Sequence, residues 1–260
     1  MINLEELTLF LSIIRINSNY IDGVQLHDDI LYYMPQLNKF QFSIETAIVK
    51  TKNDLFLSSN ENIQQSFTGR KFRLVGSYVD IFSVENGSQG HAYSSSHEFY
   101  STSKIYTLPY QFRYYSFLSN SFENGTFEMV QTLSMSDMGP FEHELFKIVS
   151  RSFPLLRSLH IFNKEAQKSK QESRSLITFP YLLRLDLDCA HVDYAEEFLV
   201  DQYCHLPSLC KLQIGYASFM SVTKNFTRHA TRLICSKLKH LRIRETFVPP
   251  EHFHRYFSSL

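Results

Sequence analysis

Charge is distributed unevenly in the last third of the chain. Residues 186–201 hold the carboxylates Asp186, Asp188, Asp193, Glu196, Glu197 and Asp201 and no Lys or Arg, whereas residues 224–244 hold Lys224, Arg228, Arg232, Lys237, Lys239, Arg242 and Arg244 and no acid. Blocks of this kind either pair with one another or create a surface whose potential selects and steers a charged partner. Other reactive side chains offer less. Cys204, His205, Cys210 and Cys235, or His252 with His254, lack the paired ligand spacing of a zinc site. Glu142, His143 and Glu144 are consecutive, so a helix points them in different directions and they form no acid–base dyad. No G-x-S-x-G, P-loop or H-E-x-x-H occurs. The expectation is recognition by charge, with no catalysis, cofactor or metal. Nucleic acid is disfavoured, because 26 basic residues balance 26 acidic ones and the basic block lacks interleaved stacking rings.

What must position these residues is written in a phrase that returns four times. It reads FPLLRSLHI from Phe153, FPYLLRLDL from Phe179, LPSLCKLQI from Leu206 and SKLKHLRI from Ser236, so that Leu156, Leu182, Leu209 and Leu238 recur every 26 to 29 residues. An L-x-x-L-x-L pattern with this period marks a leucine-rich repeat, in which each strand-and-helix unit needs its neighbours to bury its apolar side. Weaker copies are LEELTL from Leu4, LNKFQF from Leu37, a rung at Phe112, Tyr115 and Phe117, and VQTLSM from Val130. The expected fold is therefore α/β, a single degenerate leucine-rich-repeat-like solenoid over residues 1–260. A parallel sheet would line the concave face of a horseshoe, with helices on the convex face.

Strand alternation sends the intervening residues to the concave face. These candidate protein-binding residues are Lys39 and Gln41, Ser134, Ser158 and His160, Arg184, Asp186 and Asp188, Lys211 and Gln213, and His240, Arg242 and Arg244. Arg184, Asp186, Asp188, Arg242 and Arg244 would together make a bipolar patch. Tyr114 and Phe162 are the rings whose phase exposes them, as candidate anchors. Leucine-rich repeats usually place Asn or Cys three residues after the last leucine; here Asn163 and Cys189 fall one position early, and the last two rungs have neither.

Between the rungs, residues 22–34 read as a helix stopped by Pro35, and Pro140 opens a helix with Leu145, Ile148 and Val149 turned inward. Asp193 can cap another helix, residues 219–233 form a further one, and Pro249 and Pro250 start a last short helix carrying Phe253 and Phe257. Polar stretches at 50–66, 83–104 and 163–175 read as loop inserts, and 72–82 as an irregular strand. The four cysteines read as reduced thiols. The N-terminal residues carry no secretory signal and no run has the ~18 apolar residues a membrane span requires, so the expected location is cytoplasmic or nuclear, without a membrane partner.

Three stretches, YTLPYQF (106–112), GPFEHELF (139–146) and VTKNFTRHATR (222–232), together with the degenerate ladder, resemble the repeat region of F-box proteins with leucine-rich-repeat-like tails. The resemblance covers nearly the whole chain. It implies a non-catalytic role, since in that family the F-box docks on the adaptor of a cullin–RING ubiquitin ligase and the repeats hold the substrate. Residues 1–40 already read as repeat, leaving no room for the F-box helices. The expected function is thus the substrate-recognition repeats of an F-box-type ligase subunit, which engages the adaptor only if an F-box lies upstream. The alternative is a free-standing leucine-rich-repeat scaffold unrelated to ubiquitin.

Overall fold

Most strands of the ladder begin with the same turn. In the computed structural model, which describes residues 3–50, 57–72, 74–83, 99–169, 175–245 and 253–257, the amide of Leu156 donates to the carbonyl of Phe153, Leu182 to Phe179, Leu209 to Leu206 and Leu238 to Cys235. Pro154, Pro180 and Pro207 occupy the second position of three of these turns, where a fixed φ is an advantage. The same closure joins Val130 to Phe127 and, far upstream, Leu37 to Met34. Two successive amides then share one carbonyl of the preceding rung. Arg157 and Ser158 donate to Gln131, Leu183 and Arg184 to Arg157, Cys210 and Lys211 to Leu183, and Lys239 and His240 to Cys210. The repeated phrase is therefore a geometric unit of turn, shared carbonyl and strand.

The chain divides into two compact units, residues 1–111 and 112–260. The first contains β1 (Glu6–Ile16), α1 (Gly23–Asp29), a 3-10 turn at Leu31–Tyr33, β2 (Lys39–Lys50), α2 (Asn60–Gln65), β3 (Val75–Ser83) and β4 (Phe99–Thr107). Asp22 caps α1 by accepting from the Gln25 amide at 2.9 Å. The sheet order is β1-β2-β4-β3, parallel between β1 and β2 and antiparallel elsewhere. Phe42, Ile44, Ile48 and Ile105 pack with Leu26 of α1 and Ile63 of α2. At the edge, β1 leaves Phe10, Ile14 and Ile16 exposed.

This arrangement differs from one continuous solenoid over 1–260, because β2 takes an antiparallel partner. Two expected inserts also carry structure. Asn60–Gln65 is a helix capped by Ser59, and it buries Ile63. Phe99–Thr107 is an inner strand of the sheet; residues 51–56 and 84–98 lie outside the described residues. Across the four strands Ser12, Glu45, Lys104 and Tyr78 stand in one row. Lys104 is 1% exposed and Glu45 7%. Burial pushes the Lys104 amine down to about 7, with the Glu45 carboxylate acting in the opposite direction.

The second unit contains β5 (Tyr114–Leu118), β6 (Thr132–Ser136), α3 (His143–Ser152), β7 (Ser158–Asn163), β8 (Ile177–Thr178), β9 (Arg184–Ala190) and α4 (Val192–Leu199), followed by β10 (Cys204–His205), β11 (Lys211–Ile214), α5 (Tyr216–Thr223), α6 (His229–Cys235), β12 (His240–Ile243) and α7 (Phe253–Tyr256). Six strands form a parallel sheet in chain order, β5-β6-β7-β9-β11-β12, while β8 and β10 pair separately. Tyr115, Leu133, Leu159, Leu185, Leu212 and Leu241 fall in register across it. All but Leu241 are at most 2% exposed. Buried with them are Phe146 and Val149 of α3, Tyr194 and Phe198 of α4, and Phe219 and Val222 of α5. The mixed α/β class with a parallel sheet and helices is as the repeat phrase implies.

Local departures have local causes. In β5, Phe117 adopts a left-handed φ of 49° and is 38% exposed. A register shift there puts Leu118, instead of Phe117, opposite Met135. The expected helix at 219–233 is two helices, broken where Lys224, Asn225 and Phe226 take φ values of 48°, 56° and 62°. Phe253 begins α7 and Phe257 directly follows it, both buried against Phe226; Pro249 and Pro250 lie outside the described residues. Of the insert expected at 163–175, Asn163 and Gln167 are buried, and residues 170–174 lie outside the described residues.

Candidate functional site

The parallel register of the second unit assembles the candidate residues into rows. One row runs Thr132, Ser158, Arg184, Lys211, His240, and the next runs Ser134, His160, Asp186, Gln213, Arg242. Each row takes one residue from each of β6, β7, β9, β11 and β12, and an apolar column lies between them, so the alternation read from the phrase holds across five strands. Arg184, Lys211, His240, Arg242 and Arg244 are exposed; Ser158, His160, Asp186, Asp188 and Gln213 are half-buried.

Hydrogen bonds fix the middle of the face. The His160 ring bridges two rungs, with Nδ1 3.3 Å from Asp186 Oδ2 and Nε2 3.0 Å from Ser158 Oγ. Arg184 approaches the same carboxylate oxygen at 3.7 Å, and the Asp188 amide donates to Asp186 Oδ1 at 3.2 Å. Partial burial works against the charge on Asp186, but the His160 contact, the Asp188 amide and Arg184 outweigh it and hold the carboxyl below its ordinary range. A register shift between β7 and β9 sets Phe162 opposite Cys189. Asp188 lies at this irregularity, with Oδ2 3.6 Å from Arg244 Nε and Oδ1 buried without a hydrogen-bond partner.

Three candidates sit elsewhere than expected. Lys39 and Gln41 belong to β2 of the first unit's sheet, where Lys39 pairs with Glu6 at 3.1 Å and Gln41 helps line a cavity of about 320 Å³ with Lys71 and Phe72. Ser134 is 2% exposed. Its hydroxyl accepts from the Phe117 amide at 3.0 Å and from Tyr114 Oη at 3.3 Å, a lid formed by the irregular end of β5. Of the two rings, Tyr114 is 38% exposed and Phe162 is half-buried.

The charge blocks also resolve into pairs. Arg228 holds Glu196 at 2.6 Å, which ties the helical layer of one repeat to the next. Asp193 and Glu197 are buried, so neither contributes to a surface. With Asp186 and Asp188 each beside a cation, the patch is less bipolar than its composition.

One cluster escaped the sequence reading. His143 Nδ1 lies 2.7 Å from Glu197 Oε1, an oxygen from 54 residues further along the chain, and Gln167 Nε2 reaches Glu197 Oε2 at 3.5 Å. The Gln167 amide donates to Asp193 Oδ2 at 3.0 Å, while Tyr194 Oη accepts from the Phe141 amide and donates to the Glu165 carbonyl, each at 3.0 Å. Glu142 and Glu144 do point away, to the amides of Lys168 and Ser169 and to Lys147. The available signal was the phase of Glu197 on α4, three residues after buried Tyr194. A histidine oriented by a carboxylate has the form of a general base; His143 Nε2 is buried without a hydrogen-bond partner. The pair joins α3 to α4.

Asn163 is buried and braces the turn that follows β7. Its side-chain amide donates to the Gly139 carbonyl at 2.7 Å, while Oδ1 accepts from the Glu165 amide at 2.9 Å. Buried thiols are held protonated, with Cys235 pushed up to about 12 by desolvation. Among the described residues, no group of three or more His, Cys, Asp or Glu side chains is placed to hold a metal ion, and no helix is long and apolar enough to cross a membrane. Comparisons with family models, curated proteins and solved structures give no match to this chain.

Proposed function

We propose that the second unit is a leucine-rich-repeat-like solenoid acting as a non-catalytic protein-interaction module, with the two polar rows as its binding face. The supporting observation is the in-register sheet. Five rungs deliver a residue to each row, apolar columns carry the packing, and the row residues from β7 to β12 remain half-buried or exposed. In this reading residues such as Lys211, Gln213 and Arg242 contribute more to partner selection than to stability. The F-box resemblance adds a specific setting, the substrate-holding repeats of a ubiquitin ligase subunit; a scaffold without that link is the alternative.

A photo-crosslinking residue at Gln213 tests the face, with one at exposed Lys168 as the control. Capture of a defined protein from Gln213 and not from Lys168 is expected. Equal capture from both, or capture from Lys168 alone, removes the binding-face reading. For the ubiquitin setting, the reading frame extended upstream should co-purify the ligase adaptor and cullin while the present chain does not. An extended frame without F-box helices leaves the scaffold alternative.

A further inference from the structure

The second unit's sheet carries an unbalanced strip of positive charge. Arg184, Lys211 and His240 stand directly beside one another on adjacent parallel strands, separated by the interstrand spacing of ~4.8 Å. Like charges in directly facing positions, here Arg184 and Lys211, lower the stability of a sheet. Nearby carboxylates relieve only part of this cost: Asp186 is shared between His160 and Arg184, and Asp188 is taken by Arg244. Among the described residues Lys211, His240 and Arg242 have no ion-pair partner, and all three are exposed.

We propose that this strip, Arg184–Lys211–His240 with Arg242 beside it, is the docking surface for an acidic polypeptide segment laid across the strands. The inference rests on the protein-binding reading above and names the chemistry of its partner. The strip is roughly 10 Å wide, about three residues of extended chain, so two carboxylates at alternate positions can each meet a cation. Arg184 and Arg242 supply planar donor forks that match a carboxylate, and Lys211 supplies a point charge between them. Asp186, in the adjoining row, sets the polarity of the surface and opposes a continuous phosphate backbone. Between β7 and β12 neither row contains a Phe, Tyr or Trp on which bases could stack. The charge pattern therefore selects a segment with discrete carboxylates over a nucleic acid.

Fluorescence anisotropy on the full chain tests this with a labelled oligoglutamate peptide, an oligoglutamine peptide of the same length and a single-stranded oligonucleotide of matched charge. The oligoglutamate should bind in a salt-sensitive manner and the oligoglutamine should not. The double variant Lys211→Glu with Arg242→Glu should weaken oligoglutamate binding by at least about tenfold, whereas Lys164→Glu with Lys168→Glu, both exposed and outside the rows, should leave it unchanged. Circular dichroism of both variants checks that the fold is retained. Oligonucleotide binding as tight as oligoglutamate binding overturns the polypeptide assignment, and equal weakening by the two double variants overturns the location. Failure of oligoglutamate to bind while the Gln213 crosslinker still captures a protein rejects the acidic partner alone; failure of both rejects the binding face as well.

Discussion

The buried carboxylate of Glu197 anchors His143 and Gln167. Breaking a buried ion or hydrogen-bonded pair by removing one partner costs about 3–5 kcal/mol, since the survivor stays desolvated. Glu197→Ala should therefore lower the urea unfolding midpoint by that order of free energy, and Glu197→Gln, which can still accept from the imidazole N–H, by clearly less. A loss below ~1 kcal/mol for the alanine variant would show that the pair contributes little. This cluster was illegible in the sequence because its members come from two repeats and an expected loop, and spacing along one helix cannot report them. The row residues were legible because strand alternation is local. Ser134 is the exception, covered by Tyr114 and Phe117 from an irregular neighbouring strand.

At the level of elements, the turns and strands of the ladder follow from the F/L-P-x-L phrase, and in-register pairing of their leucines requires little more. Helix interruptions carried no such sign. α5 ends at Thr223 and α6 begins at His229 because three successive non-glycine residues are left-handed. Glycine usually fills such a C-cap, so residue types gave no break to read. Lys224 is exposed and its amide closes α5 onto Met220 and Ser221. A side chain in this region costs about 1–2 kcal/mol. Allowing for the greater freedom of glycine in the unfolded chain, Lys224→Gly should stabilise the protein by up to about 1 kcal/mol, visible as a rise in the thermal midpoint. A fall in the midpoint would mean that the lysine side chain contributes contacts worth more than the backbone strain. The inserts at 50–66 and 83–104 failed for another reason: polar composition concealed the single buried residue Ile63 of α2 and the inner strand Phe99–Thr107, whose buried residues are mostly polar.

For the molecule as a whole, the buried row of the first unit should appear in the pH dependence of stability. Lys104 is pushed down to about 7 in the fold and returns to its ordinary value near 10.5 when unfolded. Between these values the unfolded chain binds a proton that the folded chain does not, so stability rises with pH, by on the order of 2 kcal/mol from pH 7 to 9. Below pH 7 both states are protonated and the dependence flattens. Denaturant titrations at pH 7 and 9 should show this gain in the wild type and lose most of it in Lys104→Met; an equal gain in both would assign it to other groups. The division into two units was not legible, because the phrase at Leu37 opens β2 with the same turn as the later rungs and differs only in the antiparallel partner it takes further along. That same sheet has one consequence for behaviour in solution. The outer strand LFLSIIRI (9–16) exposes Phe10, Ile14 and Ile16 on a strand that, among the described residues, has no β partner on its outer side, with Arg15 as its one charge. Long apolar edges without proline or closely spaced charges template cross-strand aggregation. Wherever this edge is left uncovered, colloidal stability will limit the usable concentration of the protein before thermodynamic stability does.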